Sequence, residues 1–395
     1  MPPSVSACLE PDPRSDRPRI PFPRRPPRPR GPFMEFTLSD RSPLDHSAPH
    51  PEPSLFDLGW RPTDDAVAEP STRPARVLHQ GRGAWRVHDG SAELLARARS
   101  RSLSPTPVTG DWVLISGDAL SGCLIERVLP RRTTLSRAEA GGRSEEQVLA
   151  TNVDLVAICA PADDPNPRRL ERELTAVWSS GAQPIVVLTK ADLVDDVDQA
   201  VAPISAVCVG ADVILVSSLR GDGVDAIRAR VLPGTTLALI GPSGVGKSTL
   251  VNALARQEVL ATRAVRDDGK GRHTTTSRHL VPLPDGGLLL DTPGMREFAP
   301  WSTADGSDGL AGTFADIDEL AAGCRFGDCR HDTEPGCAVR DAADVDETVA
   351  ARVASWRALQ RELAWLARRH DARLMSEERK RWAALTKSAR GHIRP

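Results

Sequence analysis

The densest chemistry in the chain lies in eight consecutive residues: Gly241, Pro242, Ser243, Gly244, Val245, Gly246, Lys247 and Ser248. A glycine, four residues, then Gly-Lys-Ser is the spacing of a phosphate-binding loop. The glycines let the backbone turn tightly and aim successive N–H groups at phosphate oxygens. Lys247 is placed to reach the β- and γ-phosphates and to act in catalysis, and the Ser248 hydroxyl to ligate Mg²⁺, with Thr249 continuing the contact set. The flanks agree: Thr236–Ile240 reads as a buried strand and 248–254 as a helix. Lysine is scarce in a chain with 51 basic residues, which lowers the chance of an accidental match.

A second cluster reads a base. A buried apolar run, 184–188, is followed by Thr189, Lys190, Ala191 and Asp192. The Asp192 carboxylate can accept the ring N–H and the exocyclic amino group of guanine together. Adenine offers the opposite pattern and would leave that carboxylate unpaired. The Lys190 stem can cover the base plane. After the run ending at Val216 come Ser217 and Ser218, with Leu219, whose backbone N–H groups suit the guanine carbonyl oxygen. Downstream of the phosphate loop, 269–277 is polar and glycine-rich, like a switch in which one threonine closes on Mg²⁺ and the γ-phosphate. Thr275 is the preferred ligand, with Thr274 and Thr276 as alternatives. Asp291 would hold a Mg²⁺ water, and the Gly294 N–H would sense the γ-phosphate. Many GTPases orient the attacking water with a glutamine after this glycine. Here Met295 stands there, so slow unassisted hydrolysis is expected. His273 is the candidate for positioning water, against the plainer reading of a loop histidine bonded within the switch.

The third cluster is Cys324, Cys329, His331 and Cys337. Three thiolates and one imidazole within so short a stretch match a closed, tetrahedral zinc site. The other four cysteines are scattered, so the set reads as reduced thiols with one metal site rather than a disulfide framework.

Elements must hold these clusters in place. Runs 153–160, 184–188, 213–216, Thr236–Ile240 and 288–290 alternate with helical stretches, including 168–180, which predicts a doubly wound α/β sheet with its ligand at the strand C-terminal ends. Five short runs between 75 and 126, separated by turn signals such as Asp89-Gly90 and Ser121-Gly122, predict a small β-barrel. Of the OB type, it would bind single-stranded nucleic acid through exposed residues drawn from Arg82, Trp85, Arg86, Arg97, Arg99, Arg101 and Trp112, unless the tryptophans are core. Residues 347–369 show helical spacing of Val349, Val353, Trp356, Leu359, Leu363 and Leu366, a core stripe. The end, 372–395, is basic, either an RNA-phosphate contact or a solvated helix face. Residues 1–33 are rich in proline and arginine and read as a disordered tail, or as sequence ahead of a start at Met34. Residues 35–70 read as loosely ordered. No run approaches the length of a membrane span, and no apolar signal core opens the chain. The expected domains are a disordered extension 1–70, a barrel 71–140, a GTPase domain 141–302 and a zinc-binding helical domain 303–395.

The order of parts departs from the common one, since the base reader precedes the phosphate loop. The domain therefore reads as circularly permuted, with the second switch leading directly into the zinc-binding region. Together these residues resemble the ribosome small-subunit-dependent GTPase A family (RsgA, also called YjeQ). The features that carry the resemblance are Thr189 to Asp192, Gly241 to Ser248, Gly271 to Thr276, Asp291 to Phe298, the Cys/His set and Thr109-Gly-Asp-Trp-Val113. It covers roughly residues 73–390. The resemblance implies an N-terminal OB-type barrel, a central α/β circularly permuted P-loop GTPase domain and a C-terminal α-helical zinc-binding domain. It also implies GTP hydrolysis with magnesium, one structural zinc, ribosomal RNA and the small ribosomal subunit as partners, and a monomer in the cytoplasm with no membrane contact. Rival readings are a permuted GTPase of the large subunit, an ATP-using kinase and a non-catalytic RNA-binding protein. Subunit cosedimentation, nucleotide preference and hydrolysis respectively separate them.

Overall fold

The computed structural model describes residues 53–61, 71–81, 83–100, 102–118, 120–138, 146–256, 279–291, 307–366 and 376. Its frame is set by strands buried on both faces. In β8 (Leu155–Pro161) every residue but the last is buried. Val156, Ile158 and Ala160 pack into one core, while Leu155, Ala157 and Cys159 pack into another. A strand of period two covered on both sides has to read as a continuous apolar run.

β8 lies at the centre of a parallel set. It pairs with β9 (Gln183–Thr189), which pairs with β10 (Asp212–Leu215). On its other side it pairs with β11 (Thr236–Ile240), which pairs with β13 (Leu288–Asp291). β12 (His279–Pro282) adds an antiparallel strand beyond β13. Helices α1 (Pro167–Ser179) and α2 (Val197–Val207) contribute to the first core, and α3 (Val224–Arg228) and α4 (Lys247–Ala255) to the second. The α/β expectation is met, with strands in the anticipated places and β12 added.

The barrel forms as expected. β1 (Arg73–Gln80), β2 (Trp85–His88) and β3 (Glu93–Ala98) form an antiparallel meander. β5 (Cys123–Val128) runs parallel to β3, and β4 (Trp112–Ser116) joins β5 to β1 and closes the circuit. A small five-stranded barrel of this kind is the OB architecture. Trp85 and Trp112 are both buried, and the Trp85 indole donates to the Pro107 carbonyl. They are core, so neither offers a ring face for stacking. Arg86 and Arg99 pair with Glu93 and Glu126. Arg82 and Arg101 lie outside the described residues.

Two joints fasten the barrel to the sheet. β1 pairs with β12 at His79 and His279, whose rings stack at 4.2 Å, so one sheet runs through both modules. At the second joint the fully buried Arg76 guanidinium donates to the carbonyls of Leu58 and Asn152 and to the Thr236 hydroxyl. Residues 53–61, expected within a loosely ordered extension, instead form a packed turn here. Leu58 is fully buried, and Trp60 meets Trp112 edge-on at 4.8 Å. The Thr109-Gly-Asp-Trp-Val113 stretch belongs to the same joint. Gly110 is at φ +95°, and a Cβ there would lie 2.2 Å from the Thr151 carbonyl oxygen, so only glycine fits. Asp111 accepts from the Thr151 hydroxyl, the Val108 N–H and Arg131. Thr151 ends β7 (Glu146–Thr151), which forms a separate hairpin with β6 (Thr134–Ala138).

The C-terminal region packs on the far side. Helices α5 (Ser307–Thr313), α6 (Ala315–Ala321), α7 (Ala338–Ala343) and α8 (residues 347–366) share a core around Phe314, Ile317, Val339, Val353 and Leu359. Arg352 of α8 helps tie this region to α1. This buried guanidinium pairs with Glu171 of α1 and Asp316 of α6, and donates to the carbonyls of Val207 and Thr313. A buried charge is tolerable only when paired so fully. Arg352→Ala should therefore lower unfolding stability by about 3 kcal/mol or more, because Glu171 would stay buried with the Ser355 hydroxyl but no cation beside it. Denaturant unfolding measures this.

Candidate nucleotide site and metal centre

Among the described residues, those named for nucleotide chemistry gather at the C-terminal ends of β9, β10, β11 and β13, the ligand side of such a sheet. Gly241 follows β11 at φ +136°, and a Cβ there would sit 2.4 Å from the Cys159 carbonyl oxygen of β8. That close approach lets the loop turn over the sheet before α4 begins. Lys247 Nζ donates to the carbonyls of Gly241 at 2.7 Å and Pro242 at 2.6 Å. The ammonium is thus held at the mouth of the loop by its own backbone. The N–H groups opening α4 and its dipole make the same end favourable for an anion.

Thr189 ends β9 and is buried. Its hydroxyl lies 2.5 Å from the Val245 carbonyl oxygen and 3.1 Å from that of Ala160. With one proton to give, it donates chiefly to Val245, tying the base-reading segment to the phosphate loop. Lys190 adopts the left-handed conformation at φ +58°, and the Ala191 N–H bonds the Val216 carbonyl. This turn brings Asp192 beside the end of β10. There the Ser217 hydroxyl donates to Asp192 Oδ1 at 2.6 Å and holds the carboxyl below its ordinary range. Ser217 differs from expectation in one respect. Its own N–H bonds the Asp222 carbonyl, so its contribution is the hydroxyl that orients Asp192. Leu219 beside it is 81% exposed, an apolar side chain at the edge of the base-reading corner. Sequence reasoning valued Leu219 only for its N–H. Asp291 closes β13, in register with His279. His273, Thr275, Gly294 and Met295 lie outside the described residues.

The Cys/His set comes together as expected. One donor atom from each of Cys324, Cys329, His331 and Cys337 lies within 4.8 Å of every other. Cys324 Sγ is 4.0 Å from Cys337 Sγ, and His331 Nδ1 is 3.5 Å from each of these sulfurs. A tetrahedron with metal–sulfur arms of about 2.3 Å has edges of about 3.8 Å, so the residues fit a bound metal ion. Burial, with crowding by the neighbouring sulfurs, pushes the Cys329 thiol up to about 11. A metal cation reverses that preference and holds the thiolates deprotonated. The backbone prepares the site: His331 is at φ +60°, Arg357 donates to its carbonyl, and Cys337 caps α7.

Comparison with known proteins decides the family. A family model described as RsgA GTPase matches residues 128–301. A relative from Oceanobacillus iheyensis, named small ribosomal subunit biogenesis GTPase RsgA 1, is 45% identical over 283 residues, covering 71% of this chain and 80% of the relative. The chain belongs to the RsgA GTPase family. A Streptomyces avermitilis relative of the same general name is 41% identical over 349 residues, covering 85% of this chain and 92% of the relative. YjeQ from Thermotoga maritima shares the fold at a TM-score of 0.57 and 23% identity, covering 74% of this chain and 99% of that one. YloQ, described as a circularly permuted GTPase, gives 0.56 and 24%, covering 76% and 98%. The RsgA-family chain is accordingly a GTPase, with its base-reading strands ahead of its phosphate loop.

Two outcomes follow from this geometry. Asp192→Asn should cost guanine nucleotides about tenfold or more in affinity and shift preference toward xanthine, whose ring carbonyl can accept from the new amide; competition binding with the two diphosphates reads the shift. Removing the metal with a chelator should release one ion per chain and reduce the helical signal of the C-terminal region, which elemental analysis and circular dichroism check together.

Proposed function

We propose that this chain hydrolyses GTP when docked on the small ribosomal subunit and assists the late maturation of that particle. The carrying observation is a guanine-type reader and a phosphate loop fastened, on one framework, to a barrel at one end and a metal knuckle at the other. The relatives' names, small ribosomal subunit biogenesis GTPase, support the same reading.

In this reading GTP lies across the ends of β8, β9 and β11. Thr189, Lys190, Ala191, Asp192, Ser217 and Ser218 enclose the guanine, and Gly241 to Thr249 the phosphates. Lys247 leaves the Gly241 and Pro242 carbonyls for the β- and γ-phosphates. Ser248 and Thr275 hold magnesium, which offsets the phosphate charge; Asp291 acts through a metal-bound water, and Gly294 senses the γ-phosphate. The Cys324, Cys329, His331 and Cys337 ion is zinc and structural, since four protein donors close the coordination sphere. With Met295 in the usual glutamine position, His273 orients the attacking water, and the docked subunit completes the arrangement. The barrel, residues 71–140, and the zinc-binding domain, 303–395, contact ribosomal RNA. No helix among the described residues is long and apolar enough to cross a membrane. A monomer working in the cytoplasm fits this role.

GTP turnover should be slow alone, rise strongly with small subunits and stay unchanged with large ones. His273→Ala should leave GTP affinity intact and reduce the stimulated rate about a hundredfold. Equal stimulation by both subunits, or undiminished turnover in the variant, would refute the corresponding part of the proposal.

A further inference from the structure

Glu173, on the second turn of α1, is a buried carboxylate that none of the roles above uses. Its side chain is 4% exposed. Oε1 accepts from both Nε and Nη2 of Arg169, each at 2.8 Å. Oε2 has no hydrogen-bond partner among the described residues. An i,i+4 Arg–Glu pair on a helix is ordinarily a surface feature of small consequence. This one is buried with half of the acceptor empty, which is costly unless another state of the protein fills it.

Its surroundings indicate that state. Glu171 also lies on α1, but it faces Arg352 and the C-terminal helices. Glu173 interacts electrostatically with Lys247, at the start of α4, and with the Cys159 thiol of β8. Cys159 is the residue whose carbonyl lies against Gly241. The charged and titratable groups around Glu173 are therefore Arg169 and Arg172 on its own helix, Cys159 on β8 and Lys247 on α4. Burial pushes Cys159 up to about 12, so it stays a neutral thiol. The Lys247 ammonium thus favours the ionised form of this carboxyl.

Magnesium-bound GTP brings net negative charge to that loop and draws the Lys247 ammonium toward its phosphates. A buried carboxylate then faces anionic charge with less cationic compensation, and low-dielectric surroundings favour its neutral form. We propose that Glu173 is the charge-balancing residue of this site, ionised in the nucleotide-free protein and taking one proton from solvent onto Oε2 when magnesium-bound GTP arrives. The proton returns to solvent when the products leave. Burial already pushes this carboxyl above the ordinary range, and the charge of the nucleotide acts in the same direction. Glu173 touches no reacting atom in this scheme; it is a positioning residue that sets the local charge. The inference rests on the nucleotide site proposed above.

The sign follows from linkage. A group whose pKa is higher in the bound state makes binding stronger as pH falls, by up to about tenfold per pH unit between the free and bound values. The test is calorimetric titration of the full zinc-loaded chain with a non-hydrolysable GTP analogue and magnesium. It is run in buffers of different ionisation enthalpy from about pH 6 to pH 8, for the wild type and Glu173→Gln. The wild type should take up more protons than the variant, by as much as one per site. Its affinity relative to the variant should rise toward low pH. Because Gln resembles the protonated acid, the variant should bind at least as tightly as the wild type at the alkaline end. Equal proton uptake with binding intact would overturn the proposal, whereas no binding by the wild type would overturn the nucleotide site itself. If Glu173→Gln does not fold, infrared difference spectra of the wild type decide. A protonated-carboxyl band appearing on binding supports the proposal, and its absence overturns it.

Discussion

The hydrogen bond from Thr189 to the Val245 carbonyl is the contact on which the site depends. Because the chain is permuted, the base-reading segment and the phosphate loop are separated in sequence, and on the sheet β8 lies between their strands. Their spacing must be set through space. A guanine nucleotide demands a fixed distance between its base and its phosphates, so a loose register would weaken both halves at once. Thr189 sets the register at one point, and the backbone of Cys159 against Gly241 sets it at another. Many GTPases carry asparagine where this chain has Thr189. The hydroxyl is shorter, yet it reaches Val245 because the loop passes directly over the end of β9.

The two end modules attach to the same frame by different means. The barrel joins through the β1–β12 pairing and the Arg76 hydrogen bonds, and β12 begins two residues after the Ser277 end of the switch-like stretch. The stacked His79 and His279 rings mark that joint, and burial together with the neighbouring imidazole lowers the His279 pKa. The C-terminal region joins through Arg352 to α1. Both modules are therefore tied to the frame that carries the nucleotide corner.

Much of this was legible in the sequence because the signals were local. The phosphate loop, the tetrapeptide after β9 and the Cys/His set each fit within a few residues whose chemistry dictates their spacing. Strands such as β8 were legible because burial on both faces leaves an uninterrupted apolar run. What escaped notice depends on distant partners. Residues 53–61 carry Leu55, Phe56, Leu58 and Trp60 in a stretch with no strand or helix period, and order comes from Trp112, Arg76 and Gly234, none of them near in sequence. β12 is four residues ending in proline, too short to show alternation. Trp85 and Trp112 could serve as core or as stacking platforms, and only burial decides. Glu173 looks like an ordinary helix-surface partner of Arg169, because the helical pattern does not reveal that this face of α1 is covered.

Guanine-nucleotide affinity of Thr189→Val tests the central contact most directly. Valine keeps the shape and removes the hydroxyl, leaving the Val245 carbonyl without its donor. The account predicts weaker GDP binding by between about fivefold and about a hundredfold, from about 1–3 kcal/mol for an unsatisfied buried acceptor, with the fold and metal content unchanged. GDP affinity equal to that of the wild type would contradict it.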